Sequence, residues 1–194
     1  MATVNKISQY DYIVNRDKDW SGDYKKLFHN SDICLYHGSI DDEETESNLT
    51  DLAKEFPEDT NALICGVTGE KGGGGGIEEF FTDLERTFFI GYLLFICKDF
   101  ASSFMKKLGE EFASKLANRI FRVRSKSKSD KKFLVTLIRE NGDEITYIFP
   151  KHLTEQEISD ALLRLKIHYQ ALSNERIYMK DFIYDTGKEE WLSF

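Results

Sequence analysis

The chain has 194 residues and a net charge of −8, with 41% apolar and 31% charged residues. That length supports one sizeable core or two small lobes. The composition excludes a mainly disordered chain, and the negative balance disfavours nucleic acid and anionic membrane as partners of the chain taken whole.

The N-terminal stretch MATVNKISQYDY lacks the apolar run of a signal peptide. The three cysteines, Cys34, Cys65 and Cys97, lie in apolar surroundings and form no CxxC. Together these features predict reduced thiols in a cytoplasmic protein.

Taken in order, Ile33–Ile40 reads as a strand from its apolar and β-branched content. Leu49, Leu52, Ala53 and Phe56 then recur at helical spacing up to Pro57. Carboxylates from Asp41 to Glu46 suit the positive end of that helix. Asn61–Val67 reads as a second strand, so residues 1–71 are expected to form an N-terminal βαβ lobe with a right-handed crossover. Five consecutive glycines, Gly72–Gly76, predict a flexible linker.

Residues 77–194 are then expected to hold a long helical region, a β-hairpin, a capped helix and C-terminal strands. The helical region runs from about Ile77 to Val123, with Ile96, Phe100, Phe104, Leu108, Phe112, Leu116 and Ile120 at four-residue steps. That step drifts around a helix of 3.6 residues per turn, so a break is expected near Lys98–Ser103 or at Gly109. Within it, Phe88–Cys97 is too short to span a membrane and reads as a buried helix, or alternatively as one lying in a membrane surface. Asn141-Gly142 between two β-rich runs predicts a two-residue type I′ hairpin. In that register Ile138 faces Ile145 and Arg139 faces Glu144. Thr154 and Glu157 predict a capping box, with Leu153 and Ile158 as its hydrophobic staple. Arg176–Phe194 reads as one or two strands around a turn at Thr186-Gly187. The fold class is α+β.

The average charge conceals a polarity. Lys115–Lys132 holds eight basic residues and one acidic, a local +7, which leaves −15 on the rest of the chain by difference. The candidate interaction residues are therefore Lys115, Arg119, Arg122, Arg124, Lys126 and Lys128 on the basic side, with Asp41, Asp42, Glu43 and Glu44 on the acidic side. They suit contact with phosphates or anionic lipid headgroups, or a self-contact between the acidic and basic parts, within or between molecules.

Other constellations fall short of their chemistry. Gly66, Gly69 and Lys71 lack the spacing of a phosphate-binding loop. His29, Cys34 and His37 have no second ligand pair for a zinc site, and no third group to orient a Cys-His nucleophile. The acidic run lacks the spaced ligands of a calcium loop. No catalytic, cofactor or metal residues are assigned.

Phe100–Lys166 presents an apolar helix, its basic end at Arg119, Arg122 and Arg124, a hairpin at Asn141-Gly142, and a helix beginning LTEQEISDALLRL. That order resembles the small effector-associated modules of bacterial conflict systems. The resemblance implies a non-enzymatic adaptor or regulatory protein and carries no catalytic residues. The expectation is thus an interaction protein with a protein partner or self-association. The alternatives are a peripheral membrane protein using Phe88–Ile96 and the basic run, an acidic inhibitor or immunity protein using Asp41–Glu46, and an enzyme whose site gathers distant residues such as His37, Asp41 and Tyr147.

Overall fold

The computed structural model describes residues 2–8, 30–37, 43–66, 91–126 and 132–193. The fold is α+β. Its strands are β1 (Thr3–Ser8), β2 (Ile33–His37), β3 (Asn61–Gly66), β4 (Gly91–Ile96), β5 (Lys132–Ile138), β6 (Glu144–Phe149), β7 (Met179–Asp185) and β8 (Glu190–Ser193). Its helices are α1 (Glu43–Lys54), α2 (Lys98–Lys107), α3 (Glu110–Lys126) and α4 (Glu155–Ala171). All eight described strands belong to one mixed sheet in the order β1-β3-β2-β4-β5-β6-β7-β8.

Strand periodicity explains the core. Successive side chains of a strand point to opposite faces, and the register carries one parity across the sheet. Ile33 opposes Ile96, Ile96 opposes Leu137, and Leu137 opposes Ile145. Those residues, with Leu35, Ile64, Leu94, Val135, Tyr147 and Tyr184, share one apolar cluster with Leu52 of α1, Phe104 of α2, Leu116 of α3 and Leu162 of α4. The described helices therefore cover one face of the sheet. A knot of rings seals their meeting point: Phe56 lies edge-on to Phe112 at 5.6 Å and stacks on Phe104 at 6.1 Å.

As expected, β2 and β3 pair in parallel around α1; β6 and β7, for which no pairing was expected, also pair in parallel around α4. These two crossovers start on strands of the same direction but step opposite ways across the sheet. Because α1 and α4 lie on the same face, the two are of opposite hand, and one departs from the usual right-handed connection.

Two expectations are corrected and a third is met. Gly91–Ile96 is a strand, not a helix: it pairs antiparallel with β2 and parallel with β5, and Tyr92, Leu94 and Ile96 are buried. Its six apolar residues are too few for period to distinguish strand from helix. The helical stretch after it breaks at Leu108–Gly109, the second of the two expected places, where Lys166 Nζ donates to the Leu108 carbonyl at 2.9 Å. Sheet and core also continue through the expected lobe boundary, since β2 pairs with β4; the glycine run itself lies outside the described residues.

The hairpin is present with its register moved by one. Leu137, not Ile138, opposes Ile145, and Ile138 opposes Glu144. Gly142 N–H donates to the Arg139 carbonyl at 2.9 Å, and Arg139 N–H to Asp143 O at 2.9 Å. The loop therefore has three residues and a single left-handed glycine, Gly142 at φ 87°. Asn141 Oδ1 accepts the Asp143 N–H at 3.1 Å, a local bond that holds Asn141 out of the two-residue turn.

The start of α4 is as expected. Thr154 Oγ1 accepts Glu157 N–H at 3.2 Å, and Glu157 Oε2 accepts Thr154 N–H at 2.7 Å. The Thr154 N–H and, at 2.8 Å, the Thr154 hydroxyl both donate to Glu157 Oε2 and hold the carboxyl below its ordinary pKa. Leu153 and Ile158 are both buried.

Candidate functional site

Helix α3 is the floor of a shallow cleft of about 300 Å³ between α1 and the first turn of α4. Its lining includes Lys115, Arg119 and Arg122 from α3, Glu55 just beyond α1, and Glu155 of α4. Three cations thus face two carboxylates, and helical spacing sets the roles of the cations.

Arg119 turns toward α1. Its Nε donates to Glu55 Oε1 at 2.8 Å, and its Nη1 lies 3.8 Å from Asp51 Oδ2. Asp51 also receives Lys54 Nζ at 3.0 Å. The acidic flank of α1 therefore neutralises the middle of the basic run within the molecule. Lys115 lies one turn earlier and pairs with Glu111 of its own helix at 2.7 Å. This exposed pair lowers the Glu111 pKa and raises that of Lys115.

On the α4 side, Asn118 Nδ2 lies 3.0 Å from both Glu155 carboxylate oxygens. Arg124 is only 3% exposed. Its Nη2 donates to the carbonyls of Lys151 and Leu153, the residues just before the α4 cap. Its Nε and Nη1 are buried without a hydrogen-bond partner among the described residues, and desolvation pulls its pKa down. Arg124 is a pin between α3 and α4, and its charge does not reach the surface.

Arg122 is exposed and lines the cleft. Beside it, Phe121 leaves 37% of its surface open. The basic run is thus divided: Arg124 is internal, Arg119 and Lys115 are bound to carboxylates, and Arg122 faces solvent next to an aromatic ring. Lys128, Asp41 and Asp42 lie outside the described residues, as do the side chains of Lys126, Glu43 and Glu44.

The distant constellation of His37, Asp41 and Tyr147 is not assembled. Tyr147 is fully buried on β6 and His37 ends β2, with β4 and β5 between those strands. That separates the strands by about 14 Å; Asp41 lies outside the described residues. Tyr147 instead places its hydroxyl 3.2 Å from His168 Nδ1 and packs edge-on against Trp191 at 4.8 Å. Burial pushes the Tyr147 phenol far above its ordinary pKa. Partial burial, with nearby Lys180, pulls the His168 imidazole down. Trp191 Nε1 donates to the Ala161 carbonyl at 3.3 Å, tying β8 to α4. This is a satisfied polar link within a ring cluster.

No helix among the described residues is long and apolar enough to cross a membrane. With Gly91–Ile96 inside the sheet, the surface-helix reading of Phe88–Ile96 fails for those six residues; residues 88–90 lie outside the described set.

Sequence reasoning missed Asp51, Glu55, Asn118, Glu155 and Phe121. A signal existed for the first two. Asp51 and Glu55 repeat at four residues on the flank of α1, as Lys115 and Arg119 do on α3, a spacing that puts each pair on one helix side. Compared with known proteins, the chain matches no family model, no curated protein and no solved structure.

Proposed function

We propose that this protein is a non-enzymatic interaction module that docks an acidic protein partner on the exposed side of α3. The observation that carries this reading is exposed Arg122 in the cleft lining, with its sequence neighbour Phe121 also open on the surface of α3. Arginine and aromatic side chains are enriched at protein interfaces, where they act as binding anchors. Lys115, 55% exposed and paired with its neighbour Glu111, adds a second cation that exchanges Glu111 for a partner carboxylate at little loss. Carboxylates around the cleft oppose acidic groups placed elsewhere, which favours a defined docking geometry over unselective attraction of anions.

The setting proposed is a bacterial conflict system. Its support is the order of α3, its basic end, the hairpin and the capped α4, on which the resemblance to effector-associated modules rests.

The test compares tagged wild type with a Lys115→Glu/Arg122→Glu double variant in native pulldowns quantified by mass spectrometry. A partner enriched by wild type and reduced about tenfold or more by the variant is expected, more strongly at low salt. Equal recovery by both proteins overturns the reading. So does flotation of wild type, but not the variant, with anionic vesicles, because the ligand would then be lipid.

A further inference from the structure

Outside this cleft, the sheet brings two reduced cysteines together. Cys97 N–H donates to the Asp32 carbonyl at 2.9 Å, so Cys97 opposes Asp32 at the end of the β2–β4 ladder. Cys34 opposes Phe95. Cys34 and Cys97 are therefore diagonal neighbours on one sheet face, opposite the helices. Neither is in a disulfide; Cys34 is buried and Cys97 is partly exposed.

Cys97 also stands at the N-cap of the ten-residue α2 and makes no side-chain capping bond. That position lies at the positive end of the helix dipole, which stabilises a thiolate. A hydrogen bond from Cys34 lowers the Cys97 pKa, outweighing burial and the carboxylates of Asp32 and Asp99. Two inert core thiols would need neither the helix end, nor the contact, nor the exposure of one partner.

We propose that Cys34 and Cys97 form a peroxide-responsive thiol pair, with Cys97 as the oxidised nucleophile and Cys34 as the resolving thiol. The Cys97 sulfur attacks one oxygen of hydrogen peroxide. The S–O bond forms, the O–O bond breaks, and the departing hydroxide takes up the proton released by the Cys97 thiol and leaves as water. The Cys34 sulfur then gives up its proton and attacks the Cys97 sulfenic acid. The S–S bond forms, the S–O bond breaks, and hydroxide leaves with that proton as a second water. Two thiols supply the two electrons that peroxide accepts.

The geometry also sets the character of the bridge. Diagonal partners lie about 7–8 Å apart between Cα atoms, slightly beyond the roughly 7 Å that a disulfide spans. Closure draws Cys97, at the end of its ladder, toward β2. A bridge closed under that strain is readily reduced, as a switch requires and a structural staple does not.

The experiment treats the folded wild-type chain with hydrogen peroxide, blocks remaining thiols, and maps peptides without reduction. The expected result is a Cys34–Cys97 linked peptide, loss of the mass of two hydrogens from the intact chain, and full reversal by dithiothreitol. Before oxidation, Cys97 should be alkylated at least about tenfold faster than Cys34. In Cys34→Ser, dimedone should trap the Cys97 sulfenic acid with no disulfide formed. Three results overturn the proposal in wild type alone: no thiol loss, irreversible oxidation of Cys97 without the link, or a disulfide that includes Cys65.

Discussion

Arg119 and Arg124 are five residues apart on α3 and put the same chemistry to different uses. Arg119 lies at the helix flank, 28% exposed, and meets two carboxylates of a neighbouring element. Arg124 is turned inward and meets backbone carbonyls, with two of its nitrogens left unpartnered among the described residues. The first contact is a charge pair in partial contact with water. The second uses a guanidinium as a rigid fork to hold the turn before α4. A local excess of positive charge is thus not one surface, since each residue's angle on the helix decides whether its charge serves packing, pairing or a partner.

That contrast can be broken by substitution. Arg124→Ala should have the largest effect, destabilising by about 2–4 kcal/mol in urea titration, because it opens a void and removes the bonds that Nη2 gives two backbone carbonyls. Arg124→Met should recover much of that loss, because it refills the volume without burying a charge. If Arg124→Ala is as stable as wild type, the residue is not a pin.

Arg119→Ala should cost about 1 kcal/mol, with a loss that shrinks as salt screens the pair. A loss independent of salt would show that packing, not charge, joins α3 to α1. Lys115→Ala should leave the unfolding midpoint unchanged, since its partner Glu111 is on the same exposed helix surface. A clear drop there would place Lys115 in the structural group and remove it from the docking face.

Much of the C-terminal half was legible because its signals are local. Thr154 and Glu157 specify a cap within four residues, and Asn141-Gly142 specifies a turn. The one-residue error in register came from the same economy: Glu140 joins the loop because Asn141 bonds to Asp143, a choice the dipeptide alone does not reveal. That shift pairs Arg139 with Asp143, at 3.7 Å, in place of Glu144. β4 was misread for a different reason. Ile96 happens to continue the four-residue stripe of Phe100 and Phe104, and only its pairing with β2 and β5 distinguishes strand from helix. In the site, the cations were visible as composition, but their division was not. Nothing near Arg124 in sequence announces Lys151 and Leu153, and nothing near Arg119 announces Glu55.

The place of β4 in the sheet also bears on the order in which the chain can complete itself. β1, β3 and β2 form a parallel ribbon whose β2 edge is closed by β4 and whose α1 flank awaits Arg119. As the chain emerges from its N-terminus, that edge has no partner until Gly91–Ile96 follows, and β4 then offers its own edge until β5 arrives. A nascent or truncated chain ending between β3 and β4 would carry an open, apolar strand edge, the feature by which partly made sheets aggregate. The apolar GYLLFI segment thus serves in biogenesis as the stopper of one half of the sheet and the template of the other.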